Sequence, residues 1–131
     1  MNRIVWIIIG AVLVVGTMAF LGRQNNDKNE NTLTFATIEE EVSSDNASLY
    51  DVRTEEEYAS GHFAGAKSHD VQDMQQGAYP DEEKDRKIYV YCRSGNRSSQ
   101  AVQALQEAGF TNVVDLGGLS NVQSMGGKLI E

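Results

Sequence analysis

The chain has 131 residues, a formal net charge of -8 and a single cysteine. One cysteine excludes an intrachain disulfide, and one cysteine with two histidines provides too few ligands for a structural zinc site, so we predict neither a metal nor a cofactor. From residue 32 onward, 17 acidic residues outnumber 8 basic ones, which argues against nucleic acid as a partner because phosphate binding needs a basic surface.

The first predicted element is an apolar helix near the N-terminus. Residues 4–21 contain no charged side chain, and as a helix they would span roughly 27 Å, close to the ~30 Å hydrocarbon thickness of a bilayer. A core helix would need a polar face, which this run lacks. We therefore predict that residues 1–22 form an uncleaved membrane anchor, with a secretory signal peptide as the alternative.

A polar segment separates this apolar run from the rest of the chain. Residues 23–31 have no apolar side chain and no periodicity, which predicts a flexible linker before a domain of residues 32–131. An N-terminal apolar segment followed by one domain most often exports that domain. We therefore expect the domain outside the cytoplasm, either attached to the membrane through residues 4–21 or soluble after signal cleavage.

Strand and helix signals alternate from residue 32 onward. Short apolar runs predict five strands, over residues 33–35, 47–52, 64–68, 88–91 and 113–116. Strands separated by short helices indicate an α/β fold, with a mostly parallel five-stranded sheet and helices on both faces. In such sheets ligands bind beyond the carboxyl ends of the strands.

The helix signals lie between these strands. Capping-box spacing at Thr37–Glu40 and at Thr54–Glu57 predicts the start of two short helices, and residues 71–74 could form one further turn. A longer helix is predicted from Ser98, taken as its N-cap, because the apolar residues that follow fall on one side. Gly109 is placed to end this helix in a left-handed conformation.

The cysteine, Cys92, lies on the turn between the strand at 88–91 and this longer helix, and Arg93 and Arg97 follow it on the same turn. Inward-facing backbone N–H groups, the positive end of the helix and the two guanidinium groups would all favour a thiolate. Gly95 permits a positive φ in a tight turn. The pattern therefore predicts that Cys92 is a nucleophile in an anion-binding site, in preference to a buried inert thiol.

The length of this turn indicates what it can enclose. Four residues separate Cys92 from Arg97, one fewer than in the Cys-x5-Arg loops of cysteine phosphatases and related arsenate reductases. A shorter loop should enclose a smaller group, such as one extra sulfur atom on Cys92. A phosphatase or arsenate reductase is therefore the less favoured hypothesis.

The segment Cys92-Arg93-Ser94-Gly95-Asn96-Arg97-Ser98 resembles the active-site loop of rhodanese-type sulfurtransferases. Further segments resemble the same family in order and spacing: Asp51-Val52-Arg53 with Glu57-Tyr58, Gly61-His62-Phe63-Ala64-Gly65-Ala66, Ala108 to Val113, and Gly117-Gly118. Together they cover about residues 33–120. The chain resembles the single-domain exported form of this family.

The resemblance implies a rhodanese-like fold and thiosulfate sulfurtransferase activity. Cys92 would take the outer sulfur of thiosulfate, release sulfite and pass the sulfur of the resulting persulfide to cyanide or a thiol. Substrate binding is implied for six residues of the loop, namely Arg93, Ser94, Gly95, Asn96, Arg97 and Ser98. A persulfide carrier that serves a partner protein remains the alternative function.

Three residues upstream of the loop are predicted to support it structurally. Asp51 is expected to cap the loop after its strand or to pair with an arginine. Arg53 and Glu57 are expected to form a salt bridge or a contact at a helix start. Gly117-Gly118 is expected to be a turn at the ligand end of the sheet.

Overall fold

A four-stranded, fully parallel sheet lies at the centre of residues 32–131, the part of the chain that the computed structural model describes. In chain order its elements are α1 (Phe35–Ser43), β1 (Ala47–Asp51), α2 (Glu55–Ala59), β2 (His62–Phe63), β3 (Ala66–Ser68), α3 (Val71–Gln75), β4 (Lys87–Tyr91), α4 (Asn96–Glu107), β5 (Val113–Asp115), α5 (Leu119–Ser124) and β6 (Leu129–Ile130). The strand order is β3-β1-β4-β5, and β2 pairs separately with β6 in an antiparallel ladder. The predicted α/β fold with a mostly parallel sheet is confirmed.

None of the helices in residues 32–131 combines the length and the apolar character that crossing a membrane requires. The predicted anchor, residues 4–21, and the predicted linker, residues 23–31, lie outside the described residues. Membrane attachment, signal cleavage and export of the domain therefore stay predictions.

Side chains from both faces of strand β4 are part of the apolar core. Ile88 and Val90 pack in one apolar cluster with residues of α3 and α4, and Cys92 belongs to the same cluster. Tyr89 and Tyr91 alternate with them and pack in a second cluster with residues of α1 and α5. A parallel strand covered by helices on both sides needs this continuous apolar pattern, as the sequence predicted.

The predicted first strand, residues 33–35, is wrong, so the parallel sheet of the described residues has four strands where five were expected. Phe35 opens α1, and the Thr34 side chain caps this helix by accepting a hydrogen bond from Thr37 N at 3.3 Å. Phe35 and Ile38, three residues apart, share the buried face of the helix. The alternation at 33–35 is too short to compete with this helical pattern, and Thr34, not Thr37, is the N-cap.

Helix α4 also begins earlier than predicted. Gly95 is its N-cap, with a left-handed φ of 96°, and Asn96 is the first helical residue. Ser98 therefore lies inside the first turn, where its backbone N–H has no partner in the preceding turn of helix. The predicted left-handed glycine after the helix is confirmed, since Gly109 has a φ of 97°.

A buried ion pair joins the carboxyl end of β1 to the segments around it. The Asp51 carboxylate accepts hydrogen bonds from Arg53 Nη2 at 2.6 Å and from Arg53 N at 3.0 Å. The Tyr91 hydroxyl donates to the same carboxylate at 2.8 Å, and Arg53 Nη2 also donates to Gly61 O at 2.6 Å. The predicted pairing of Asp51 with an arginine is confirmed, and it ties β1, β4 and the chain after α2 together.

Substitution of Asp51 tests how much this pair stabilises the fold. Asp51→Asn leaves the Arg53 guanidinium, whose side chain is 5% exposed, without its counter-charge. We expect the free energy of unfolding, measured by urea denaturation, to fall by about 3–5 kcal/mol.

The matched control is Asp45→Asn, because Asp45 also pairs with an arginine, Arg86, but has a side chain that is 93% exposed. An exposed pair contributes less than about 1 kcal/mol. Equal losses in the two variants would contradict the assigned role of the buried pair.

Candidate active site

The Cys92 thiol lies at the carboxyl edge of the parallel sheet, on the turn that joins β4 to α4. The whole residue is buried, with an exposed fraction of 0%. Its backbone N–H donates to Gly117 O at 2.9 Å, so the turn is held from the side of β5. This is the edge where an α/β sheet places its ligands.

Hydrogen-bond donors of the turn converge on the sulfur. The backbone N–H of Gly95 donates to Cys92 Sγ at 2.9 Å. Burial raises the pKa of the thiol, but hydrogen bonds from the Ser98 hydroxyl and N–H, and from the N–H groups of Gly95 and Ser94, outweigh that effect. The pKa of Cys92 therefore lies below its ordinary value, which favours the reactive thiolate.

The early start of α4 explains why Ser98 is one of these donors. As the third residue of the helix it carries one of the N–H groups that no helical carbonyl accepts. Its hydroxyl donates to Gly95 O at 3.0 Å. A hydroxyl has one proton and rotates freely, so Ser98 can turn this donor from the carbonyl to an ionised sulfur.

The turn between β5 and α5 forms the opposite wall of the loop. Gly118 pairs with Ser94 in an isolated bridge, and Leu119 N donates to Arg93 O at 3.1 Å. A Cβ atom on Gly118 would lie 2.7 Å from Arg93 O. The predicted position of Gly117-Gly118 at the ligand end of the sheet is confirmed, and only glycine allows this approach.

The two arginines of the loop have different surroundings. Arg97 forms a two-pronged ion pair with Glu57, with Nη1 to Oε2 at 2.6 Å and Nη2 to Oε1 at 2.9 Å. The Arg93 side chain is exposed and makes no hydrogen bond or ion pair with residues 32–131. Arg97 is therefore held by the protein, while Arg93 is available to an anion in solution.

Of the contacts predicted for Arg53 and Glu57, the one at a helix start is present. Thr54 Oγ1 accepts from Glu57 N at 3.3 Å, and Glu57 Oε2 accepts from Thr54 N at 3.1 Å, which completes the predicted capping box. No salt bridge joins the two residues, because Arg53 pairs with Asp51 and Glu57 with Arg97. Tertiary packing separates two side chains whose spacing along the sequence suggested a pair.

The remaining predicted site residues lie at the mouth of the loop or outside it. Ser94 is exposed and contributes its backbone, while the Asn96 side chain is exposed and accepts from Gln100 Nε2 at 3.4 Å along the helix.

Tyr91 was not predicted as a supporting residue, since a tyrosine in a buried strand is indistinguishable from other apolar residues by pattern. Its hydroxyl accepts from Phe63 N at 3.2 Å.

Within residues 32–131, no group of three or more His, Cys, Asp or Glu side chains is arranged to hold a metal ion.

Comparison with known proteins gives consistent matches to one family. A family model described as a rhodanese-like domain matches residues 34–125. The chain is 32% identical over 130 residues to the protein YqhL of Bacillus subtilis, covering 98% of this chain and 95% of that protein. It is 36% identical over 75 residues to the thiosulfate sulfurtransferase PspE of Escherichia coli, covering 55% of this chain and 70% of that protein. The crystal structure of the Alr3790 protein from Anabaena superposes with a TM-score of 0.64 at 32% identity, covering 75% of this chain and 90% of that one.

Gly118 offers a test of the loop geometry that requires no knowledge of the substrate. In Gly118→Ala the new methyl group overlaps Arg93 O, so the loop must move away from the β5–α5 turn. We expect a loss of about 1–3 kcal/mol in the free energy of unfolding. We also expect slower alkylation of Cys92 by iodoacetamide at neutral pH, because its N–H donors are displaced.

Gly77→Ala is the control for backbone strain. Gly77 has a φ of 91° but nothing lies within 4 Å of an added Cβ, so the substitution should destabilise the protein and leave the alkylation rate unchanged. An unchanged alkylation rate in Gly118→Ala would show that the close approach does not shape the loop.

Proposed function

The chain belongs to the rhodanese-like family, and on this premise we propose that it is a thiosulfate sulfurtransferase that works through a persulfide on Cys92. The observation that carries the proposal is the hydrogen bond from Gly95 N–H to Cys92 Sγ, in a loop whose other inward donors also lower the pKa of the thiol. A sulfur anion is the species that such a ring of donors stabilises.

In the first half-reaction, the Cys92 thiolate attacks the outer sulfur of thiosulfate. A new S–S bond forms to Cys92, the S–S bond of thiosulfate breaks, and sulfite leaves with the electron pair. The product is a persulfide anion on Cys92. The Gly95 N–H, which donates to Cys92 Sγ, would bind this anion together with the N–H and hydroxyl of Ser98, which lower the pKa of the thiol.

In the second half-reaction, an acceptor takes the outer sulfur. The carbon of cyanide, or the sulfur of a thiolate, attacks the outer sulfur atom of the persulfide, and the Cys92 thiolate leaves with the electron pair of the broken S–S bond. Thiocyanate or a new persulfide is released and the enzyme returns to its starting state. The electrons balance over the two steps, so the cycle needs no metal, cofactor or further oxidant.

Arg93 is proposed to attract the sulfonate end of thiosulfate. Its guanidinium is exposed beside Cys92 and has the forked donors that suit an oxyanion. Arg97 cannot offer the same two donors without leaving Glu57. The predicted substrate-binding role of Arg97 is accordingly assigned to holding the loop.

Cys92→Ser tests the nucleophile. A serine hydroxyl has nearly the same shape but does not ionise at neutral pH, so we expect thiocyanate formation from thiosulfate and cyanide to fall by about a thousandfold or more. The melting temperature should remain close to that of the native protein. Normal turnover by Cys92→Ser would refute the mechanism.

Intact mass identifies the intermediate in the same protein. After incubation with thiosulfate, Cys92 should gain about 32 Da, the mass of one sulfur atom, and lose it on addition of cyanide. A persistent gain with negligible thiocyanate production would instead identify a persulfide carrier. Cysteine-dependent hydrolysis of an aryl phosphate without any gain in mass would identify a phosphatase.

Arg93→Gln tests the proposed contact with the donor. Loss of one charge-assisted contact should raise KM for thiosulfate about fivefold to tenfold, with a smaller change in kcat. Lys84→Gln makes the same charge change before the amino end of β4, at the opposite edge of the sheet from Cys92, and should leave KM unchanged. Equal KM values for Arg93→Gln and the native protein would remove Arg93 from the site.

A further inference from the structure

Glu57 lies where two helix starts meet. Its carboxylate accepts four hydrogen bonds, two from Arg97 and two from Thr54 N and Thr54 Oγ1, at distances of 2.6 to 3.2 Å. Thr54 is the N-cap of α2, and Arg97 is the second residue of α4. The carboxylate therefore connects α2 directly to the helix whose first turn holds the sulfur.

Arg97 belongs to the first turn of α4, next to the donors that act on the sulfur. It lies between Gly95, whose N–H donates to Cys92 Sγ at 2.9 Å, and Ser98, whose hydroxyl and N–H lower the pKa of the thiol. Hydrogen bonds to Glu57 raise the pKa of Arg97 most, burial opposes this rise, and the charges of Cys92 and Asp70 add to it. An unpaired guanidinium at this position would add a full positive charge to the dipoles that already stabilise the thiolate.

We propose that Glu57 is a positioning residue that sets the reactivity of the Cys92 sulfur by neutralising Arg97 and holding it in a two-pronged ion pair. The consequence for sulfur transfer rests on the proposed function, whereas the effect on the free thiol does not. Glu57 does not touch the reacting atoms; it acts through Arg97 and through the first turn of α4.

The chemical reason for such a device is the balance between ionisation and nucleophilicity. A lower pKa increases the thiolate fraction but makes each thiolate a weaker nucleophile, so the fastest attacking thiol has a pKa near the ambient pH. The Ser98 hydroxyl and the backbone N–H donors of the loop already lower the pKa of Cys92. A free Arg97 would lower it further and would also hold the persulfide anion too tightly for rapid transfer to an acceptor.

The charge of Glu57 is constant over the working range of pH. The hydrogen bonds from Arg97 lower the pKa of Glu57 most, burial opposes them, and the contact with Thr54 adds to the effect, so that the pKa lies at about 2. The carboxylate is therefore ionised at any pH where Cys92 titrates. A pH profile of Cys92 alkylation therefore reports the ionisation of the thiol and not that of Glu57.

The other charged groups around Cys92 are the same in every variant used below. Arg93 belongs to the loop itself, the paired Asp51 and Arg53 lie at the end of β1, and Asp70 caps α3. Their contribution to the pKa of the thiol cancels when variants are compared.

The test is the pH dependence of Cys92 alkylation by iodoacetamide in the full chain, with no sulfur donor present. In Glu57→Gln the length of the side chain and an acceptor oxygen for Thr54 are kept, but the charge of Arg97 is no longer balanced. We expect the midpoint of the profile to move to lower pH, the rate below the midpoint to rise roughly twofold, and the plateau at high pH to fall.

Arg97→Gln should move the midpoint in the opposite direction, because a positive charge is lost and Glu57 is left unbalanced near the thiolate. This second variant also serves as the test if Glu57→Gln does not fold. Glu56→Gln, the neighbouring exposed acid of α2, is the matched control and should reproduce the native profile.

The opposite directions of the midpoint shifts expected for Glu57→Gln and Arg97→Gln distinguish an electrostatic role from a merely structural one. If Glu57 and Arg97 only brace the loop, both substitutions displace the N–H donors and both midpoints move to higher pH. That result, or an unchanged midpoint in Glu57→Gln, would overturn the proposal. Because alkylation requires no sulfur transfer, either outcome is independent of whether thiosulfate proves to be the donor.

Discussion

The hydrogen bond from Gly95 N–H to the Cys92 sulfur is the interaction around which the domain is arranged. It requires Gly95 to adopt a left-handed φ of 96°, a conformation that other residues reach only with strain. The same conformation starts α4 immediately afterwards, and the N–H and hydroxyl of Ser98 in its first turn lower the pKa of the thiol. From the other side, Gly118 closes against the loop, where any side chain would collide. Two glycines thus define the space around one sulfur atom.

Beneath this loop, two ion pairs of different exposure hold the carboxyl edge of the sheet. The Asp51–Arg53 pair is buried and has further bonds to Tyr91 and Gly61, so its charges are compensated by protein groups. The Glu57–Arg97 pair is partly exposed and acts on α4 directly. Because the Asp51–Arg53 pair is buried inside the protein, we assign it a role in stabilising the fold. The second pair includes Arg97 in the first turn of α4, the turn that begins directly after the Cys92 loop, and we propose that it tunes the chemistry of the sulfur.

The prediction from sequence is correct for the elements whose pattern is long and local. It fails where the pattern is short or where contacts between residues distant in the sequence decide the partner. β4, α4, the capping box at Thr54 and the family itself follow from runs or motifs of several residues. The start of α1 does not, because the three-residue alternation at 33–35 masks the local helical signals of the Thr34 cap and the Phe35–Ile38 face. The partner of Glu57 could not be predicted from the sequence either, because Arg97 lies 40 residues away along the chain while Arg53 lies at the helical spacing of four.

The central claim is that the loop stabilises an anionic sulfur on Cys92, and titration of the thiol tests it most directly. The ultraviolet absorbance of the thiolate would be followed against pH in the full chain, with Cys92→Ser subtracted to remove the tyrosines. The account predicts a midpoint clearly below the ordinary cysteine value of about 8.5. A midpoint at or above that value would mean that burial outweighs the N–H donors, and it would contradict the account.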